Sequence, residues 1–74
     1  MRSEKYRLIP EEGFTRKESD AIRADRFETS EEAVKAAKDL FQTIFRKEID
    51  KYGRTVLTGR NKQGYSASVA VSDK

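Results

Sequence analysis

The stretch TSEEAVKAAKDLFQTIFRKEIDKY, residues 29–52, dominates the folding pattern of this chain. Thr29 and Glu32 have the spacing of a capping box, in which each side chain pairs with the backbone N–H of the other residue. Gly53 suits the position just after a helix, where left-handed backbone is common. Apolar residues at three- and four-residue spacings give one amphipathic face. They are Ala33, Val34, Ala37, Leu40, Phe41 and Ile44. The stretch therefore predicts one long α-helix over residues 29–52.

The apolar series changes direction late in this stretch. Phe45, Ile49 and Tyr52 continue it, but at helical periodicity they are rotated around the helix axis. A straight helix that is docked along its whole length would not show this drift. We therefore expect a bend or break near Arg46, or a last part of the helix that extends beyond the core.

Short β segments flank the predicted helix. Residues 5–9, 14–18 and 21–27 alternate weakly and predict three strands, the first of which ends at Pro10 or lies at an edge. Residues 54–58 and 65–71 predict a hairpin whose turn, residues 61–64, closes on a glycine. In its second strand Tyr65, Ala67, Val69 and Val71 share one face, and the serines on the other face are expected to meet water.

The resulting fold class is α+β, with a small antiparallel sheet packed on one long helix in the order β-β-β-α-β-β. Residues 1–74 are expected to form a single domain, with residues 1–4 and 73–74 frayed. The predicted core is Leu8, Ile22, Phe27, Val34, Ala37, Leu40, Phe41, Ile44, Leu57, Val69 and Val71.

Composition excludes several kinds of chemistry. The 74 residues contain neither cysteine nor histidine, which removes Ser-His and Cys-His catalytic pairs and the commonest transition-metal ligands. The carboxylates show no convergent spacing for a metal ion. No apolar run has the length of a membrane span. We therefore expect a soluble, non-enzymatic protein without cofactor, metal or membrane contact, most simply in bacterial or phage cytoplasm.

A set of short motifs resembles a known family. They run Tyr6-Arg-Leu-Ile-Pro10, Gly13-Phe14, Phe27-Glu-Thr29, Glu32-Ala33 with Ala36-Ala37, and Val56-Leu-Thr-Gly-Arg60. In this order they are similar to a small bacterial family of unknown function with the pattern YHVVP, GW, F-x-T, EA-x-x-A and IHGRDG. Phe14 and Thr58 stand where that family has tryptophan and histidine. The resemblance implies a sheet with one helix packed across it and carries no assigned activity.

Two binding hypotheses follow. The first is an accessory module that binds a protein partner or a second copy of itself, with Phe45, Ile49 and Tyr52 as the interface, because exposed aromatics flanked by charges are typical of interfaces. The alternative is a small nucleic-acid-binding module that uses a basic β-sheet face. Its candidate contacts are Arg16, Lys17, Arg23, Arg26, Arg54, Arg60 and Lys62.

Overall fold

A four-stranded antiparallel sheet with two short helices on one face forms the framework of the chain, in a computed structural model that describes residues 5–73. The elements in chain order are β1 (Arg7–Glu12), α1 (Arg16–Ala24), α2 (Ser30–Lys38), β2 (Phe41–Ile49), β3 (Thr55–Asn61) and β4 (Ser66–Ser72). The order across the sheet is β1-β4-β3-β2, so β1 and β2 are the two edge strands. The predicted order β-β-β-α-β-β is therefore wrong, and the observed order is β-α-α-β-β-β.

The predicted long helix over residues 29–52 is also wrong. Its start is confirmed, since the Thr29 hydroxyl accepts a hydrogen bond from the Glu32 N–H at 3.1 Å. However, α2 ends at Lys38, and β2 begins at Phe41. The residues from Phe41 to Ile49 are rich in aromatic and β-branched types, which favour strands, and pairing with β3 provides their backbone hydrogen bonds. The drift of the apolar series marks a change from helical to strand periodicity.

The second and third predicted strands are replaced by a helix. Residues 14–18 and most of 21–27 form α1 and the turns around it. Thr15 and Glu18 make a reciprocal capping box, with the Glu18 N–H donating to the Thr15 hydroxyl at 3.2 Å and the Thr15 N–H donating to the Glu18 carboxylate at 2.9 Å. This is the same Thr-x-x-Glu spacing as at Thr29, and the weak alternation of residues 21–27 obscured it.

The C-terminal hairpin is confirmed. β3 and β4 pair without a register shift, and Gly64 closes their turn with a φ of 89°. Pro10 lies inside β1 rather than at its end, and β1 is an edge strand with a register shift after Pro10. Proline is tolerated in such a strand because an edge leaves some backbone N–H groups without a ladder partner.

The core lies between the two helices and the sheet. Its buried cluster is Leu8, Ile22, Ala33, Ala37, Phe41, Leu57, Ala67, Val69 and Val71. Phe27, Val34 and Leu40 pack against this cluster but are only partly buried. Ile44 was predicted to be buried and is 37% exposed, because it lies on an edge strand instead of a docked helix.

The opposite side of the sheet carries no helix. Ile9, Ala70 and Val56 lie side by side across this helix-free face. Ser68 and Ser72 also lie on it and are buried, contrary to the expectation that the serine side meets water. The reason is that β4 is a central strand, so side chains of β1 and β3 cover its small residues from both sides.

Within residues 5–73, no helix combines the length and hydrophobicity that crossing a membrane requires. The predicted fraying of residues 1–4 and of residue 74 concerns positions outside this described range.

Candidate functional site

β2 is the most exposed element of the sheet. One of its sides pairs with β3, and no strand among the described residues pairs with the other side. Of its nine residues only Phe41 is buried. The outer edge of β2, hereafter the β2 edge, therefore presents unpaired backbone N–H and C=O groups to any approaching chain.

Two irregularities divide this strand. The register with β3 shifts between Phe41 and Thr43 and again between Ile44 and Arg46. From Arg46 to Ile49 the pairing with β3 is regular. The last four residues of β2 thus form a regularly paired segment, and this is the part of the β2 edge best suited to accept another strand.

The two faces of that segment differ in chemistry. Lys47 lies opposite the buried Leu57, so it points to the side of the sheet that carries the helices. Arg46 and Glu48 alternate with it, and they form an exposed ion pair at 3.3 Å on the helix-free face. A strand added to the β2 edge would meet Lys47 and the exposed Ile49 on one face of the sheet and the Arg46–Glu48 ion pair on the other.

Apolar side chains surround this edge. Phe45 is 58% exposed, Ile49 66% and Tyr52 70%. Phe45 lies beside the Arg60 guanidinium, which is 5.8 Å from its ring centroid. Tyr52 lies beside Arg54 at 5.3 Å. The sequence grouped these three apolar residues on the end of a helix; the structure places them on an edge strand and its following turn instead.

That turn is held by one carboxylate. Asp50 accepts hydrogen bonds from the backbone N–H groups of Tyr52 and Arg54, both at 2.9 Å, and from the Arg54 side chain at 2.7 Å. Partial burial opposes ionisation of Asp50, but these hydrogen bonds and the Arg54 charge outweigh it and lower its pKa. The hydrogen bond to Asp50 also raises the pKa of Arg54. The turn therefore fixes the geometry with which β2 leads into β3.

Arg54 forms ion pairs with two carboxylates, those of Asp50 and Glu11. Its guanidinium lies 3.8 Å from Glu11 of β1. Because β4 runs between β1 and β3, this ion pair connects the start of β3 with β1 across β4. Arg54 was a candidate nucleic-acid contact, and the structure shows it half-buried between two carboxylates.

The structure separates the other candidate nucleic-acid contacts. Arg16, Lys17 and Arg23 lie on α1, on the helical side of the sheet. Arg26 follows α1 and donates to the backbone oxygens of Arg23 and Asp25. Arg60 points to the opposite, helix-free face, and Lys62 lies in the β3–β4 turn. These residues do not gather on one basic β face.

A different basic cluster lies under α2. Lys35, Lys38 and Lys47 line a groove of about 390 Å³ between α2 and the β2–β3 pair. The other lining residues are Ser30, Glu31, Val34 and Thr55. Sequence reasoning missed this lysine groove, because in a single helix over residues 29–52 Lys35 and Lys38 lie off the apolar face and Lys47 lies more than two turns further along the axis. Only the fold of residues 41–49 back along α2 brings them together.

Within residues 5–73, no three acidic side chains lie together in a group that could hold a metal ion. No protein-family model matches the chain, and neither a curated protein nor a solved structure shows significant similarity to it. The resemblance to the family of unknown function therefore stays a prediction.

Proposed function

We propose that this chain is a non-catalytic module that binds a protein partner by accepting an extended segment of it at the β2 edge. The observation that carries this proposal is the exposure of eight of the nine residues of an edge strand. Strand addition uses main-chain hydrogen bonds for affinity and alternate side chains for specificity.

The exposed apolar side chains support the same interpretation. The core cluster is complete without Phe45, Ile49 or Tyr52. A small domain gains little by leaving such groups in water, and long apolar edges promote aggregation unless they are covered. These side chains therefore suit a role in which a partner covers them.

Charge favours a different protein over a second copy of this chain. In a two-fold antiparallel pair, the residue on the axis lies opposite its own copy. Within the regularly paired segment, an axis at Arg46, Lys47 or Glu48 would bring two like charges together, and an axis at Ile49 would place Glu48 opposite Asp50 of the second copy, both of which are destabilising. A partner strand with complementary charges avoids this cost.

The nucleic-acid alternative has less support, because its candidate contacts lie on both sides of the sheet and Arg54 is ion-paired. Nucleic-acid binding is tested directly by the DNA and RNA titrations described below.

Selection of ten-residue peptides displayed on phage, with the folded chain immobilised, tests the proposal. We expect selected peptides to slow hydrogen exchange at β2 amides, and to lose affinity for a Phe45→Ser/Ile49→Ser variant. The matched control is Tyr65→Ser. Tyr65 is 68% exposed, like the two substituted residues, but it directly precedes β4, which is not a neighbour of β2 in the sheet. Protection located elsewhere, or equal affinity for all three proteins, would contradict strand addition.

Two further measurements address the competing functions. Sedimentation of the wild type should show a monomer, and a dimer that the Phe45→Ser/Ile49→Ser variant abolishes would replace the partner with a second copy. Titration with duplex DNA and single-stranded RNA at low salt should show no binding, and a salt-sensitive complex would favour the nucleic-acid alternative.

A further inference from the structure

We infer that the lysine groove selects the partner, so that the segment bound at the β2 edge carries an acidic side chain on the helical side of the sheet, opposite Lys47. This inference rests on the proposed function and names the chemistry of its ligand.

The groove is continuous with the β2 edge. Lys47 belongs to the edge strand itself, while Lys35 and Lys38 come from α2 on the far wall. No described element lies beyond β2 in the sheet, so the groove opens toward the position of an added strand. Side chains directly across an antiparallel pair have Cβ atoms about 5 Å apart, so an added residue opposite Lys47 would lie at the groove mouth.

The lining of the groove carries more positive than negative charge, with three lysines and one glutamate. None of the three lysine side chains forms an ion pair with the residues in the range 5–73, and Glu31 is the one acidic residue in the lining. All three lysines are exposed, so they can move toward a ligand. A carboxylate held there would meet up to three ammonium groups.

The groove also has an apolar component. Val34 is partly buried and lines the groove together with the three lysines, each of which has an aliphatic stem of four methylene groups. Lysine can contact apolar surface with its stem and keep the ammonium group in water. A glutamate, with its own two methylene groups, fits this combination better than a small inorganic anion.

The other face of an added strand meets different chemistry. There Arg46 and Glu48 already pair with each other, and Phe45 presents its ring beside Arg60. Apolar side chains suit this face. An alternating ligand therefore places its acidic side chains on the helical side, one of them opposite Lys47 and the next near the exposed Ile49, and its apolar side chains on the helix-free side.

Three labelled eight-residue peptides test this pattern by fluorescence anisotropy. Each alternates valine with a second residue, which is glutamate, glutamine or lysine. At low salt we expect the glutamate peptide to bind about tenfold more tightly than the glutamine peptide, because several individually weak exposed ion pairs with the lysines add together. The preference should shrink at higher salt, where the Debye length falls below about 8 Å. The lysine peptide should bind most weakly.

Charge-matched variants separate the groove from general attraction. Lys35→Gln/Lys38→Gln should reduce the glutamate preference to about twofold, whereas Lys17→Gln/Lys62→Gln removes equal charge at distant exposed positions and should keep most of it. Equal loss in both variants would overturn the groove as the selecting element.

The outcomes distinguish this inference from the proposed function. If the glutamate and glutamine peptides bind equally at the β2 edge, strand addition stands and the inference fails. If none of the three peptides binds and phage selection also yields no β2 ligand, the proposed function fails with it.

Discussion

The Asn61 side-chain amide donates a hydrogen bond to the carbonyl oxygen of Gly13, at 2.5 Å and across 48 residues of sequence. The same side chain accepts from the backbone N–H groups of Gln63 and Tyr65, at 2.9 and 3.0 Å. Asn61 is 1% exposed, so water cannot replace these partners. One buried amide thus connects the β3–β4 turn to the β1–α1 connection.

Removing this amide should destabilise the whole domain. For Asn61→Ala we expect a loss of about 2–3 kcal/mol in the free energy of unfolding, since buried groups left without partners cost about 1–3 kcal/mol. Urea unfolding measures it. Lys62→Ala in the same turn is the control and should change stability by less than about 0.5 kcal/mol. Similar values for both variants would show that the Gly13 contact contributes little.

Gly59 permits the close approach of β2 to β3. A Cβ at this position would meet the Thr43 carbonyl oxygen and would lie 2.8 Å from the Ile44 Cα, both of them backbone atoms that cannot rotate away. Gly59→Ala should therefore lower stability by about 1–3 kcal/mol, as overpacking does. It should also speed hydrogen exchange in β2 more than in β1. Ser66→Ala, at an exposed strand position, is the control, and an equal effect of both would contradict this explanation.

Two phenylalanines on β2 should respond differently to truncation. Phe41 is 5% exposed and packs edge-to-face on Phe14 with centroids 6.3 Å apart, whereas Phe45 is 58% exposed. Phe41→Ala should cost about 3–5 kcal/mol. Phe45→Ala should cost less than about 1 kcal/mol, because it leaves no cavity. Thermal unfolding of both variants measures the difference, and if Phe41→Ala does not fold, Phe41→Leu replaces it. Comparable losses at the two positions would mean that Phe45 belongs to the core.

Acid should weaken the fold through two carboxylates. The hydrogen bond from the Thr15 N–H, followed by that from Gln63, lowers the pKa of Glu18 below the ordinary glutamate value. At Asp50 partial burial raises the pKa, but the hydrogen bonds from Arg54 and Tyr52 outweigh it and lower the pKa below the ordinary aspartate value. A folded-state pKa below the unfolded value gives stability that is complete above the unfolded pKa and is lost as pH falls through the folded pKa. The free energy of unfolding should therefore decline as pH falls through the ordinary carboxyl range, at about pH 4, and below it.

The double variant Glu18→Gln/Asp50→Asn checks the assignment. It should be less stable than the wild type near pH 7, and its stability should fall less steeply in acid. Urea unfolding at several pH values gives both slopes. If the stability of the wild type and that of the variant fall equally steeply with pH, other titratable groups cause the acid sensitivity.

The spacing of residues along the sequence correctly predicted those features that depend on contacts between residues close in the chain. Thr29 and Glu32 marked the start of α2, and alternation with Gly64 marked the β3–β4 hairpin. The Thr15-x-x-Glu18 box carried an equally clear signal for α1, which weak alternation in residues 21–27 hid. The buried positions Leu8, Leu57 and Val69 also followed from pattern.

The candidate site depended on tertiary structure. Exposure of Phe45, Ile49 and Tyr52 agrees with the interface hypothesis, but the reason for their exposure differs from the predicted helical extension. Nothing near Arg54 in the sequence indicated that Glu11 would reach it across β4. The lysine groove likewise required residues 41–49 to turn back along α2.

The features that the sequence predicted differ from those that it did not in how far apart their hydrogen-bond partners lie along the chain. A helix cap or a tight turn satisfies its backbone groups within a few residues, so the local sequence determines it. Residues 41–49 suit both a helix face and a strand, and only the presence of β3, with Gly59 allowing close approach, decides for the strand. Which side chains then share an edge, a face or a groove is set by that pairing, and so the surface on which function depends is a property of the folded chain.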